Sequence, residues 1–242
     1  MGRSPFGSHS WPRKVALVRT QRRTHPRDRR GAAAMKTMAF ELSSAQGSIA
    51  LLENGAVLFE RTFPNDRKHS GLFFENLRFS LQQFGAPEAI VVGLGPGSYA
   101  GVRIAIATAI GLRAAGRTTV VGLPSICALE VESSEHCVIG DARRQSFFFA
   151  RVKDGRVIEG PDLHPASELE AKLRNLALPI YSTEPLPQFP QSIRAFSVAR
   201  KLAERAREQA GEIDDTRSLE PIYLREPHIT QPKTARMPAI NK

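Results

Sequence analysis

From residue 36 onward, apolar and polar positions alternate in short runs whose period changes along the chain. Apolar runs occupy 38–42, 48–52 and 56–59, and Glu53-Asn54-Gly55 separates the last two. An Asn-Gly pair supplies both left-handed residues of a tight hairpin, so the spacing predicts three consecutive antiparallel strands. Pro64-Asn65-Asp66 breaks the run, and a helical period takes over across roughly 70–84. Ala89-Ile90-Val91-Val92 reads as a buried strand, the glycine-rich 93–101 as a loop, 101–115 as a helix and 118–121 as another strand.

Three antiparallel strands followed by strands that return through helices require a mixed sheet with helices covering it. That order is the ribonuclease H-like layout. A looser copy follows: strands over 136–140, 146–152, 156–159 and 178–182, an Asp154-Gly155 turn, and helices over 166–176 and about 192–210. The expected class is α/β, with two related lobes of mixed sheets flanked by helices, the first over 36–122 and a degenerate second over 123–218. Pro221, Pro227, Pro232 and Pro238 predict that 219–242 runs extended over the surface.

Two of the helices are apolar on more than one side. Over 70–84, a helical wheel puts Phe73, Phe74, Leu77, Leu81 and Phe84 on one stripe, with Leu72 and Phe79 opposite. In the next helix Tyr99, Val102, Ile106 and Ile110 share a face, while Ile104, Ala105 and Leu112 share another. Such helices need two surfaces to bury them, and the sheet supplies only one. A second polypeptide is expected on the other, with Leu72, Phe79, Tyr99, Val102, Ile106 and Ile110 as its contacts. Burial against the chain's own second lobe or its C-terminal segment is the competing reading.

Charge adds less than its total suggests. The chain carries +10, but residues 1–34 hold nine basic residues and one acid, leaving 25 basic and 23 acidic residues in the rest. A nearly neutral body and 7% aromatic content argue against a free-standing RNA-binding module. Residues 1–34 lack apolar periodicity and read as a disordered basic extension. A start codon assigned too early is favoured over a transit peptide or an RNA-binding arm. No apolar run is long enough for a membrane span, so a cytoplasmic protein is expected. Cys127 and Cys137 match neither a disulfide framework nor zinc spacing, and no two of the six histidines stand four apart. No metal site is expected.

Candidate chemistry concentrates in Gly93-Leu94-Gly95-Pro96-Gly97-Ser98-Tyr99-Ala100-Gly101-Val102-Arg103. A glycine turn into a helix brings backbone N–H groups together where they attract an anion, and Ser98 is placed to cap the helix. Gly95, Gly97, Ser98, Gly101 and Arg103 are therefore the candidate anion or nucleotide loop. The bland alternatives are a tight strand-to-helix turn, a plain N-cap at Ser98 and a surface salt bridge at Arg103. Asp141, ahead of Arg143 and Arg144, is either a phosphate-facing acid or the organiser of a hairpin.

The run Gly95-Pro96-Gly97-Ser98-Tyr99-Ala100-Gly101-Val102-Arg103-Ile104 resembles the signature of the TsaB family of bacterial tRNA threonylcarbamoyladenosine biosynthesis proteins. The likeness extends to Gly122-Leu123-Pro124-Ser125-Ile126-Cys127-Ala128-Leu129, Asp141-Ala142-Arg143-Arg144 and Pro221-Ile222-Tyr223-Leu224-Arg225, and covers most of 36–230. The resemblance implies an actin-like fold and a noncatalytic scaffold that pairs with a TsaD homologue. It also implies a TsaE homologue joining through that pair and tRNA met only through the complex; the outer helix face is expected to meet either the TsaD homologue or, when the chain is alone, another copy of it. No cofactor is implied beyond weak or vestigial nucleotide binding.

Two departures bear on nucleotide. Phe40-Glu41-Leu42-Ser43 replaces the family's Ile-Asp-Thr-Ser, lengthening the acid that faces a metal-nucleotide in active relatives, and Ala100 replaces Thr. The alternative reading is an ATP-dependent actin-like enzyme acting on a small-molecule acceptor, with Glu41 as its acid.

Overall fold

The computed structural model describes residues 35–66, 71–116, 118–209 and 219–224. The expectations for 1–34 and for 225–242 lie outside the described residues. Strands β1 (Lys36–Glu41), β2 (Gln46–Glu53) and β3 (Ala56–Pro64) form an antiparallel meander, followed by helix α1 (Gly71–Phe84) and strand β4 (Ala89–Gly93). Helix α2 (Tyr99–Ala115) leads to β5 (Thr119–Leu123), and a 3₁₀ turn (Ser125–Ala128) begins the crossing to the second sheet. There β6 (Glu135–Asp141), β7 (Ser146–Lys153) and β8 (Arg156–Pro165) form another meander. Helix α3 (Ala166–Leu176), β9 (Ile180–Ser182), β10 (Ile193–Arg194) and helix α4 (Ala199–Glu208) complete the described elements.

The sheet orders are β3-β2-β1-β4-β5 and β10-β9-β6-β7-β8. In each, the first strand of the meander pairs antiparallel with the second and parallel with the strand that returns after a helix. The two are therefore copies of one plan, and the fold is actin-like, two mixed sheets flanked by helices. The copies share turn chemistry as well. Asn54-Gly55 and Asp154-Gly155 both have positive φ at both positions, as a type I′ hairpin demands.

One face of the first sheet is buried under α1 and α2, where Met38, Phe40, Ile49, Leu51, Ile90 and Val92 meet Phe73, Leu77, Val102 and Ile106. The other face is buried under α4, through Ala39, Ala50, Leu52 and Val91 against Ala199, Leu202 and Ala203. Helix α4 thus belongs by sequence to the second half and by packing to the first sheet. Its guanidiniums bridge the copies: Arg207 lies against Gly55 and Arg205 against Gly155.

The sequence expectation for a helix over 192–210 is corrected at its start. Residues 193–194 form β10, and the backbone of 195–198 is spent on Ser182, Glu130 and Ala128. The helix begins where Ser48 on β2 accepts the Ala199 N–H at 2.7 Å, a cap supplied from outside the helix. Strand β8 runs on to Pro165, beyond the expected end at 159, because its ladder resumes past a bulge around Gly160-Pro161.

Candidate functional site

The glycine loop descends from β4 onto the end of β1, and its backbone donors are largely committed within the chain. The Gly95 N–H donates to Ser125 Oγ at 3.0 Å, and the Ser125 N–H returns to Gly95 O at 2.8 Å. The Ser98 N–H donates to Ser43 O at 2.6 Å. Ser98 caps α2 by accepting the Gly101 N–H at 3.2 Å, which is the bland reading of that residue. Gly97 presses against the Ser43 carbonyl and Gly101 against that of Leu42. Of the five loop candidates, Gly95, Gly97, Ser98 and Gly101 are gathered at one turn. Arg103 lies apart, its guanidinium 4.9 Å from the centre of the Tyr99 ring and bonded to the Tyr99 hydroxyl.

Glu41 ends β1 at the centre of this junction with no exposed surface. Its Oε1 accepts the Ser43 N–H at 2.7 Å, and its Oε2, beside the Ser125 hydroxyl, lacks a well-formed hydrogen bond. No side chain fits at position 93, since a Cβ there would stand 2.0 Å from Glu41 Oε2 and 2.6 Å from Ser125 Oγ. Burial raises the Glu41 pKa above the usual carboxylate range, against the opposing pull of its bonds from Ser43 and Ser125. A carboxyl so placed favours its proton. The magnesium nucleotide of actin-like ATPases does not fit these residues, because the acid is enclosed against Gly93 and Ser125 and the loop donors nearest it already have partners.

Ser125 and Ser197 buttress the loop, a part that the sequence reading did not assign to them. Ser197 Oγ donates to Ser125 O at 2.7 Å, fastening the 3₁₀ turn beneath the loop. Residues Leu219–Leu224 cross above it. There the Ile222 N–H donates to Leu94 O at 2.8 Å, and the Tyr223 ring lies 5.5 Å from that of Tyr99. These six are the described residues of the segment expected to run over the surface.

Asp141 takes the hairpin role of its two readings: its Oδ1 accepts the Arg143 N–H at 2.7 Å. Among the described residues, no three His, Cys, Asp or Glu side chains are grouped to hold a metal. Burial pushes the thiols of Cys127 and Cys137 up to about 11, well away from a reactive thiolate.

The six expected partner contacts divide. Val102 and Ile106 are 3% and 7% exposed and point into the first core with Ala105 and Ala109, which corrects their assignment to an outer face. The buried stripe of α2 runs between the two faces drawn on the wheel. Leu72 is half-buried against the same core. Phe79, Tyr99 and Ile110 remain 48%, 52% and 42% exposed. Phe74, expected in the core, is instead exposed, its ring resting beside Phe73.

The model of the TsaD family, tRNA N6-adenosine threonylcarbamoyltransferase, matches residues 65–173. The fold is similar to two crystal structures from Pseudomonas aeruginosa. One is described as an uncharacterized protein with similarity to peptidase YeaZ, at TM-score 0.65 and 24% identity over 79% of this chain and 100% of that one. The other is YeaZ, at TM-score 0.60 and 24% identity over 78% of this chain and 100% of that one. YeaZ is TsaB, and the likeness to it is one of fold. An uncharacterized protein of Mycobacterium leprae is 37% identical over 34% of this chain and 23% of its own length. One of Mycobacterium bovis is 30% identical over 47% of this chain and 56% of its own length. The chain thus spans about a quarter and about half of these relatives. The family model covers less than half of the chain, and the YeaZ structures, at 24% identity, show a shared fold. No helix among the described residues is long and apolar enough to cross a membrane.

Proposed function

We propose that this TsaB-like chain is a noncatalytic scaffold in tRNA threonylcarbamoyladenosine formation, pairing with a TsaD homologue through the outer side of α1 and α2. The observation that carries the reading is the enclosed Glu41 junction. The glycine loop, Ser43 and Ser125 are knitted into a support for the start of α2. That support presents Tyr99 and Ile110 outward on α2, and α1 presents Phe74 and Phe79. Half-exposed aromatic and aliphatic side chains of this kind are the anchors of protein interfaces. A TsaE homologue joins through the pair, and the chain alone forms a homodimer by the same helices.

Ile110→Lys and Phe79→Lys test the reading, since each changes a half-exposed side chain, that of Phe79 at the edge of the core beside Phe59. Both variants are expected to stay folded and to lose co-purification with the TsaD homologue. Undiminished association of both would overturn the proposed face. Magnesium-dependent ATP hydrolysis by the purified wild-type chain would instead favour an enzyme.

A further inference from the structure

The turn after β6 occupies the same place in the second sheet that the Glu41 junction occupies in the first, yet it is built in the opposite manner. Ala142–Gln145 joins β6 to β7, and Arg143, Arg144 and Gln145 have φ of 67°, 53° and 59°. Three successive left-handed residues, each bearing a side chain, are an unfavourable way to make a turn. At the β2–β3 and β7–β8 hairpins the chain supplies left-handed residues with Asn54-Gly55 and Asp154-Gly155. A turn needing only its backbone shape would use those residues again. Two guanidiniums are presented here instead.

The turn is firmly buttressed. Asp141 Oδ1 accepts the Arg143 N–H at 2.7 Å, and the Ala142 N–H and Ser146 N–H donate to Ser146 O and Arg143 O at 2.9 and 3.1 Å. Glu184 Oε1 accepts the Asp141 N–H at 2.9 Å, and Ser182 Oγ, in a buried residue, accepts the Glu184 N–H at 3.3 Å. Asp141 and Glu184 thus each spend an oxygen on the backbone. Arg143 meets Asp141 Oδ2 at 3.4 Å while its side chain stays 84% exposed, and Arg144 is exposed beside it.

We propose that Arg143 and Arg144 form a fork that grips the phosphodiester backbone of the RNA on which the modification complex acts. This rests on the tRNA-modification reading above. Guanidinium is planar, permanently charged and geometrically matched to phosphate oxygens. An acidic protein surface is the less favoured occupant, because interface hot spots sit in well-packed, desolvated centres and this tip brings no aromatic or aliphatic side chain to build one. The tip offers only Ala142, Arg143, Arg144 and Gln145, while the phenylalanines that follow at 147–149 are buried.

The test uses the full chain with its TsaD homologue and unmodified tRNA, with affinity measured between 50 and 200 mM salt. Arg143→Gly with Arg144→Gly removes both charges while accepting the positive φ, so the fold is kept. The double variant is expected to bind tRNA at least tenfold more weakly at low salt. Its plot of log affinity against log salt should flatten by about 1 to 2, the share of two lost phosphate contacts. Affinity and slope equal to the wild type would overturn the inference. So would loss of the TsaD homologue from the variant, which would assign the turn to an acidic protein surface. A wild-type pair that fails to bind tRNA at all would refute the parent reading and this inference with it, whereas a binding pair indifferent to the double variant refutes this inference alone.

Discussion

The turns that follow β1 and β6 stand at equivalent points of two sheets built on one plan, and they have opposite characters. After β1, Leu42, Ser43 and Ser44 are buried, and Glu41 is enclosed between the glycine loop and the 3₁₀ turn. After β6, Arg143, Arg144 and Gln145 are exposed in left-handed conformations over a frame made by Asp141 and Glu184. Repeating a strand order therefore does not repeat its chemistry. The surroundings decide: a closely packed glycine loop closes over one strand end, while Glu184 props the other from behind and leaves its tip in water.

Filling the enclosed side is expected to do the most damage. Gly93→Val drives side-chain atoms into Glu41 and Ser125 and is expected to cost about 3 kcal/mol of stability, read from urea unfolding. Glu41→Gln should come next. Because the Glu41 pKa is raised in the folded chain, the stability tied to it is complete below the ordinary carboxylate pKa. It is lost as pH rises from that value through the raised one, by up to about 1.4 kcal/mol per pH unit. Glutamine keeps the shape without the charge. The variant should therefore show a flatter stability profile across that window and be the more stable protein above it. An identical profile would place a charged, solvated carboxylate at position 41. Ser98→Ala removes the cap of α2 and should cost about 1 kcal/mol by the same unfolding measurement. The smallest effect belongs to the open side. Arg144→Gly relieves a left-handed residue at a solvated tip and should raise stability by roughly 0.5 kcal/mol, whereas destabilisation would show the arginine to be a structural strut.

What could be read from the sequence follows from what local pattern encodes. The Asn54-Gly55 and Asp154-Gly155 hairpins, the two meanders and helices α1 to α3 were legible because period and turn residues are local signals. The stretch 192–198 misled because its backbone is claimed by Ser182, Glu130 and Ala128, distant partners that leave no trace in the segment itself. On α1 and α2 the wheel assigned period correctly and facing only in part. Gly101 and Ala105 let the helix sit close to the sheet, which turned Val102 and Ile106 inward, while Phe74 at the margin of its stripe turned out. At the junction, the gathering of the loop glycines and Ser98 at one turn was legible. Ser125 and Ser197 were not, because a serine that bonds a loop thirty or more positions away looks like any other serine.

Helix α4 carries one more consequence. It alone among the described helices covers the second face of the first sheet, and its cap comes from Ser48, 151 positions earlier. On the ribosome, Ala39, Ala50, Leu52 and Val91 must therefore wait, greasy and uncovered, until residues 199–208 emerge from the exit tunnel. A nascent chain stalled before that point has every strand of its first sheet but no back wall, which makes it a natural client for a holding chaperone.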